Sequence, residues 1–378
     1  MNLTITRENL VWLVETASRP IPPRTTLPTI KGCLIEALSD RVIFSGTNLD
    51  WGVRASSEAE VTSSGSLVVS SKLLQDVVRT IVTPEVTMSL DASAWALSVK
   101  SGTSEMVLNA VPADDFPKWP ETSGGEKVSL KADMFRELVK IGASCAVTNP
   151  TRPLWGACLL DLQEDRVVAV STDQFALSRA VARVKAKPGR AIIPANVLQD
   201  IARLKDTEDS DEITFEISDS YIYFTSRNLS CFSRLIEGQY YAYEQVIPKT
   251  FTSSARVSTE ALARAASRAA IVASEEDRAM RIIVDRSAKT LVVKAGSPDK
   301  GKMEETIPAE ITGEHMEIWV QHKYILQALG RISTEETFVG LTGQVSPMKI
   351  EPVPNDGSRN GGVEATFVIM PMSPKGAF

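Results

Sequence analysis

The sequence predicts an α+β protein of three tandem domains, each with two helices packed on antiparallel sheets, and three observations support that class. The 378 residues divide into three stretches of 126, an ordinary domain length. One pattern of helix, strands, helix, strands is read three times at a period of about 125 residues. With 43% apolar and 23% charged residues the chain can bury a full core, and no apolar run approaches the roughly 18 residues that span a bilayer.

Each third opens with a helix whose apolar residues fall at i, i+3, i+4 and i+7: Leu10, Leu13, Val14 and Ala17, then Phe135, Leu138, Val139 and Gly142, then Leu262, Ala265, Ala266 and Ala269. An irregular stretch with an arginine comes after it, Arg24, Arg152 or Arg278, and leads into a β-rich run. Residues 40–48 and 165–173 show the self-similarity best, Asp-Arg-Val-Ile-Phe-Ser-Gly-Thr-Asn against Asp-Arg-Val-Val-Ala-Val-Ser-Thr-Asp at an offset of 125. A second helix comes next, at 72–79, 196–203 and 324–331, with Leu-Gln and an arginine four residues after the Gln.

Alternating strands close each unit. Val86, Met88 and Leu90 face Trp95, Leu97 and Val99 across a turn at Asp91 and Ala92; Ile213, Phe215 and Ile217 face Tyr221 and Tyr223 across residues 218–220. Polar stretches at 121–126 and 252–254 read as linkers, which sets domains at 1–122, 127–250 and 255–378, and residues 355–362 read as a long hairpin loop inside the last domain.

Several functions are disfavoured by composition. The four cysteines, Cys33, Cys145, Cys158 and Cys231, contain no CxxC and read as reduced core thiols; with His315 and His322 they suggest no metal site, and the histidines read as surface groups. Residues 296–303 fit GxxxxGK but end in Met303, where a magnesium ligand requires Ser or Thr, and no helix opens after them, so they read as a polar hairpin. No catalytic residue, metal or cofactor is expected. The first eight residues lack a signal-peptide pattern, which places the chain inside the cell.

The two halves of each third resemble one another, so the chain is a sixfold repetition and two copies would supply twelve helices. Twelve helices in a ring at about 8–10 Å spacing give a circumference of roughly 100–120 Å and a diameter of about 35 Å, room for a nucleic-acid duplex. The net charge of −6 argues against a uniformly basic surface. The second-helix segments nevertheless carry a surplus of +4 (Lys72, Asp76, Arg79; Asp200, Arg203, Lys205; Lys323, Arg331), which leaves −10 elsewhere. A basic lining in an acidic body attracts phosphates by counterion release without reading sequence.

Five segments, in order and in register with the repeat, resemble the bacterial DNA polymerase III beta subunit family, the β sliding clamps. They are Leu108-Asn109-Ala110-Val111-Pro112-Ala113-Asp114-Asp115-Phe116-Pro117; Ser171-Thr172-Asp173; residues 237–243 with 247–249; residues 264–272; and Val368-Ile369-Met370-Pro371-Met372. The resemblance covers the whole chain. It implies clamp-type domains, a head-to-tail dimeric ring around double-stranded DNA, and a non-catalytic processivity factor acting in the cytoplasm at the nucleoid. The partners it implies are a second copy, the DNA polymerase III alpha subunit, a clamp loader and other proteins with clamp-binding motifs, and no membrane. The alternative reading is a clamp-fold scaffold that binds client peptides without loading on DNA.

The resemblance also implies three residue sets. Arg24 matches a family DNA contact, and Lys72, Arg79, Arg152, Arg203, Lys205, Arg278 and Lys323 join it as the expected DNA-facing set. Leu154, Thr172, Phe175, Leu177, Tyr241, Val246, Val368, Met370, Pro371 and Met372 match the client-peptide pocket. Met106 and Leu108 with Ile271 and Val272 match the dimer contact. The chain departs from the family at Gln174, Phe175 and Ala176, at Tyr241, where a Pro is frequent, and at 373–378, in place of a short basic end.

Overall fold

A computed structural model describes residues 1–122, 124–206, 212–354 and 362–373. The expected hairpin loop at 355–362, apart from Gly362, and the extension at 373–378, apart from Ser373, lie outside the described residues.

The first third contains β1 (Asn2–Thr6), α1 (Arg7–Ala17), β2 (Gly32–Ala37), β3 (Arg41–Thr47), β4 (Trp51–Glu58), β5 (Glu60–Ser63), β6 (Gly65–Ser70), α2 (Ser71–Thr80), β7 (Glu85–Asp91), β8 (Ala96–Ser101) and β9 (Ser104–Val111). The middle third contains β10 (Lys127–Lys131), α3 (Ala132–Gly142), β11 (Ala157–Gln163), β12 (Arg166–Thr172), β13 (Ala176–Ala182), β14 (Gly189–Pro194), α4 (Ala195–Arg203), β15 (Glu212–Ile217), β16 (Tyr221–Thr225) and β17 (Leu229–Arg234). The last contains β18 (Ser253–Ser258), α5 (Thr259–Val272), β19 (Ala279–Asp285), β20 (Thr290–Ser297), β21 (Gly301–Gly313), β22 (Met316–Gln321), α6 (His322–Leu329), β23 (Glu336–Leu341), β24 (Met348–Val353) and β25 (Val363–Ile369).

The expected helices are present, and the stripes that predicted them are buried: Leu10, Leu13, Val14 and Ala17 on α1, Phe135, Leu138, Val139 and Gly142 on α3, Leu262, Ala265, Ala266 and Ala269 on α5. Burying one such Leu contributes about 1.5–3 kcal/mol. Thr6, Ser70 and Ser258 cap α1, α2 and α5, each side chain accepting an amide N–H of the first turn. Close approach between helix and sheet needs small residues. A Cβ on Gly46 would lie 1.9 Å from the Ala17 carbonyl oxygen, and one on Gly142 would lie 2.3 Å from the Ala169 Cβ.

Some expectations are corrected. A strand, β1, β10 or β18, precedes each first helix and was not legible as one. Ser253 and Ser254, expected in a linker, belong to β18, where Ser253 is 1% exposed and pairs with both Gly313 and Leu341. Strand pairing on both sides overrides their polarity. Trp95 is in the β7–β8 turn with φ +47°, outside the strand. Arg331 lies beyond the end of α6 and Lys205 beyond α4. The 296–303 segment is the β20–β21 hairpin, as expected. All four cysteines are buried thiols, each pushed up to about 12 by burial.

Two compact units share the chain: Met1–Ala132 with Arg203–Leu235, and Asp133–Ala202 with the chain from Ile236 on. The middle third is thus divided, because its strands pair with its neighbours' strands. The first unit holds a sheet in the order β10-β15-β16-β17-β4-β3-β2-β6-β9-β8-β7-β1-β5, and the second β14-β11-β12-β13-β25-β24-β23-β18-β21-β20-β19-β22.

Candidate nucleic-acid interface and docking surface

All eight basic residues expected to face DNA are exposed. Lys72 and Arg79 sit on α2, whose buried face holds Leu74 and Val78. Lys205 comes after α4, and its carbonyl accepts the Trp12 indole N–H at 2.7 Å, which fixes it beside α1. Arg24 and Arg152 lie in loops that run into matching 3-10 turns, Pro28–Lys31 and Pro153–Gly156, and the Arg152 guanidinium lies 5.1 Å from the centre of the Trp155 ring.

Arg278 is not their structural equivalent. No 3-10 turn precedes β19; Arg278 directly abuts that strand at φ +53°, its N–H bonded to the Ser274 carbonyl and its carbonyl accepting His322 N–H. The structure instead joins Arg278 to the start of α6 and so to Lys323, which lies 4.3 Å from the centre of the Tyr324 ring. His322, expected at the surface, is half-buried with Nδ1 lacking a partner; burial, then Arg278 and Lys323, lower its pKa.

The glutamines that marked the second helices have a structural task. Gln199 Nε2 donates to the Ala143 carbonyl at 2.9 Å and Gln327 Nε2 to the Ser144 carbonyl, so both α4 and α6 dock on the end of α3.

Of the expected pocket residues, Leu177 and Val368 belong to one core cluster of the second unit with Ala157, Leu159, Tyr240 and Tyr243, and Leu154 packs against it together with Ile247. Phe175, Tyr241 and Val246 are 57%, 39% and 41% exposed, high values for large apolar side chains. Met370, Pro371 and Met372 are half-buried, and Met370 N–H donates to the Phe175 carbonyl at 2.8 Å. The Thr172 hydroxyl closes the preceding turn on the Ala176 carbonyl at 2.8 Å. Tyr324, absent from the expected set, donates to Asp173 at 2.6 Å and braces that turn; burial and Asp173 push its phenol pKa up.

At the expected dimer contact, Ile271 is 70% exposed, Val272, Met106 and Leu108 are half-buried, and Val107, which sequence reasoning passed over, is 62% exposed. Two strand edges were also missed. β9 pairs with β8 along Ser104–Asn109 but with β6 only at Ala110 and Val111; β21 pairs with β20 along Gly301–Pro308 and with β18 only from Ala309. The second edges of 104–109 and 301–308 therefore have no strand partner among the described residues. Alternation within one strand is visible in sequence; whether its edge is paired is not. A polar cavity of about 550 Å³ in the first unit, lined by Glu8, Trp12, Arg41, Glu58, Asp206 and Arg227 among others, was likewise not anticipated.

Among the described residues no group of His, Cys, Asp and Glu could hold a metal ion, and no helix is long and apolar enough to cross a membrane.

Comparison with known proteins is consistent along the whole length. Residues 1–120 match the family model for the DNA polymerase III beta subunit N-terminal domain, 129–241 the central domain and 244–373 the C-terminal domain. The chain is 26% identical over 369 residues to the beta sliding clamp of Bacillus subtilis (94% of this chain, 97% of the relative) and 27% identical over 380 residues to that of Synechococcus elongatus (98% and 99%). A sliding clamp from Pseudomonas aeruginosa, solved bound to griselimycin, superposes with a TM-score of 0.91 at 24% identity, covering 99% of this chain and 100% of that one; this likeness shows the fold.

Proposed function

The chain belongs to the DNA polymerase III beta subunit family, and from that premise we infer how its three clamp domains serve DNA replication. It is a non-catalytic DNA polymerase processivity factor, a sliding clamp. The proposed form is a head-to-tail dimeric ring acting in the cytoplasm at the nucleoid, with the polymerase III alpha subunit, a clamp loader and other motif-bearing proteins as partners. Its proposed domains are 1–122, 127–250 and a third opening with β18.

The strand pairing is the observation that carries this reading. Each domain's last strand pairs antiparallel with the third strand of the preceding domain's first sheet: β17 with β4, and β25 with β13. Among the described residues the first domain's last strand, β9, and the third domain's corresponding strand, β21, lack that junction partner, and each supplies what the other lacks. Joining β9 of one copy to β21 of the next is a heterologous contact, and the proposed two-copy ring satisfies both junctions. The internal junctions put Phe232 opposite Gly52 and Val368 opposite Leu177. Met106, Leu108, Ile271 and Val272 are proposed to pack beside that junction.

Arg24, Lys72, Arg79, Arg152, Arg203, Lys205, Arg278 and Lys323 are proposed to contact phosphates without reading bases, the requirement for sliding. Leu154, Thr172, Phe175, Leu177, Tyr241, Val246, Val368, Met370, Pro371 and Met372 are proposed to take client peptides. Flexible methionines let such a surface repack for several partners.

Retention on nicked circular DNA, lost on linearisation, tests the function, because a ring slips off ends while a chemical contact does not. Equal retention on both forms would overturn the encircling role and leave the peptide-binding scaffold. Reversing charge at Arg24 and Arg152 together weakens loading on the same circle without unfolding the protein; unchanged loading removes the DNA assignment.

A further inference from the structure

We propose that Arg190, Asp161 and Tyr243 form a clasp that positions the 236–247 segment, and with it Tyr241 and Val246, for client peptides. The proposal rests on the reading of Tyr241 and Val246 as part of the peptide site. The clasp itself touches no client and acts through the segment it holds.

Asp161 is the one charged residue of β11, Ala-Cys-Leu-Leu-Asp-Leu-Gln, and its side chain is only 5% exposed, so its carboxylate needs donors. Three side chains supply them. Arg190, its direct cross-strand partner on the edge strand β14, donates from Nε to Oδ1 at 2.9 Å and from Nη2 to Oδ2 at 3.4 Å. Gln163 Nε2 donates to Oδ2 at 3.4 Å, and the Tyr243 hydroxyl donates to the same oxygen at 3.0 Å. Burial, then Asp161, raise the Tyr243 phenol pKa, so the hydroxyl keeps its proton. Because the Arg190 side chain is 66% exposed, the pair links a buried carboxylate to solvent without sealing two charges in the core.

The clasp closes on a segment that runs over the sheet. Ile236 N–H donates to the Ile192 carbonyl at 2.8 Å, Tyr240 Oη lies 3.4 Å from the carbonyl oxygens of Ala157 and Val170, and the Tyr241 ring meets Tyr240 edge-on at 5.4 Å. Tyr243, buried in the core cluster, then opens the 3-10 turn Tyr243–Val246, in which its N–H bonds the Tyr241 carbonyl at 2.8 Å and Gln245 N–H the Ala242 carbonyl at 3.2 Å. Releasing the Tyr243 hydroxyl lets this turn open locally, and affinity falls with the fraction of chains that keep the binding conformation.

The test titrates the tightest of a set of overlapping synthetic peptides from the polymerase III alpha subunit into the full chain and its variants, with amide exchange read alongside. Tyr243→Phe and Arg190→Ala each weaken binding about 3- to 10-fold and speed exchange at the Tyr243 and Gln245 amides. Arg190→Lys, which keeps a cation opposite Asp161, restores most of both. Ile282→Val, a buried trim in β19 near the opposite end of the sheet, lowers Tm without changing affinity. Unchanged affinity in Tyr243→Phe and Arg190→Ala, with Val246→Asp still abolishing binding, overturns the proposal and spares the peptide site, whatever happens to Tm. Weaker binding without faster exchange, an equal loss in Ile282→Val, or no recovery in Arg190→Lys also overturns it. Binding that survives Val246→Asp, or a set with no binding peptide, overturns the peptide-site reading and this proposal with it.

Discussion

Two turns at equivalent points of the repeat share one backbone and differ in what covers them. In the first unit the Thr47 hydroxyl donates to the Trp51 carbonyl at 2.9 Å, Asn48 Oδ1 accepts the N–H groups of Asp50 and Trp51, and Leu49 has φ +80°. In the second unit Thr172 donates to the Ala176 carbonyl at 2.8 Å, Asp173 Oδ1 accepts from Phe175 and Ala176, and Gln174 has φ +79°. The side chains then diverge. Gly52 stands where Leu177 stands, and the Phe232 ring fills the vacancy, 2.5 Å from where a Gly52 Cβ would be. Trp119 meets Phe232 edge-on at 4.7 Å, Tyr221 at 5.7 Å, and Arg54 covers Trp119 at 4.3 Å. Val368 opposes Leu177 instead, and Phe175 is left facing solvent. Aromatic side chains cover the first turn at Gly52 while Leu49 on it stays 46% exposed, and the second turn exposes Phe175, so repetition of a backbone does not repeat what covers it.

The largest effect is expected from removing the plug. Phe232→Ala leaves a cavity among Trp119, Tyr221 and Gly52 and costs about 3–5 kcal/mol, read by denaturant unfolding. A loss below about 1 kcal/mol would show that the aromatic cluster does not hold the first turn. Next, Val246→Asp places a charge among the proposed client-peptide residues and weakens binding of a client peptide at least tenfold, about 1.4 kcal/mol, while Leu49→Ala at the first turn leaves it unchanged. Equal losses from both would erase the distinction between the turns.

Tyr324→Phe removes the hydroxyl that braces Asp173 and costs about 1 kcal/mol of stability, with a parallel drop in affinity for a client peptide at the proposed site as the Phe175 turn loosens. Unaltered affinity would confine Tyr324 to stability. The smallest effect concerns His322, which opens the same helix. Its folded pKa lies below the ordinary value of 6.5, so the unfolded state binds the proton more tightly. The stability linked to this shift is complete above pH 6.5 and is lost as pH falls through the folded value. His322→Gln therefore flattens the decline of Tm below pH 6.5; an unchanged slope would exclude this group as a source.

Much of this was legible in the residues. Helix stripes such as Leu10, Leu13 and Val14 declare their period, the 40–48 and 165–173 segments declare the repeat, and Met370-Pro371-Met372 carries the resemblance to the family. The features that escaped had no local signal. Ser253 reads as linker until strands on both sides pair with it, Arg278 matches Arg24 by spacing but not by the loop that holds it, and Tyr324 reaches Asp173 across more than a hundred residues of sequence.

The sequence by itself determined the three domains, their helices and the kind of residue at each site, because hydrophobic periodicity and repetition are local properties. The tertiary structure decided that the middle third divides between two sheets, that 104–109 of β9 and 301–308 of β21 have no second strand partner among the described residues, and that Phe232 fills one turn while Val368 opposes Leu177 at the other. Those outcomes depend on which distant strand supplies a hydrogen-bond partner and on whether a facing side chain fills the available volume. Neither is a property of any single stretch of chain.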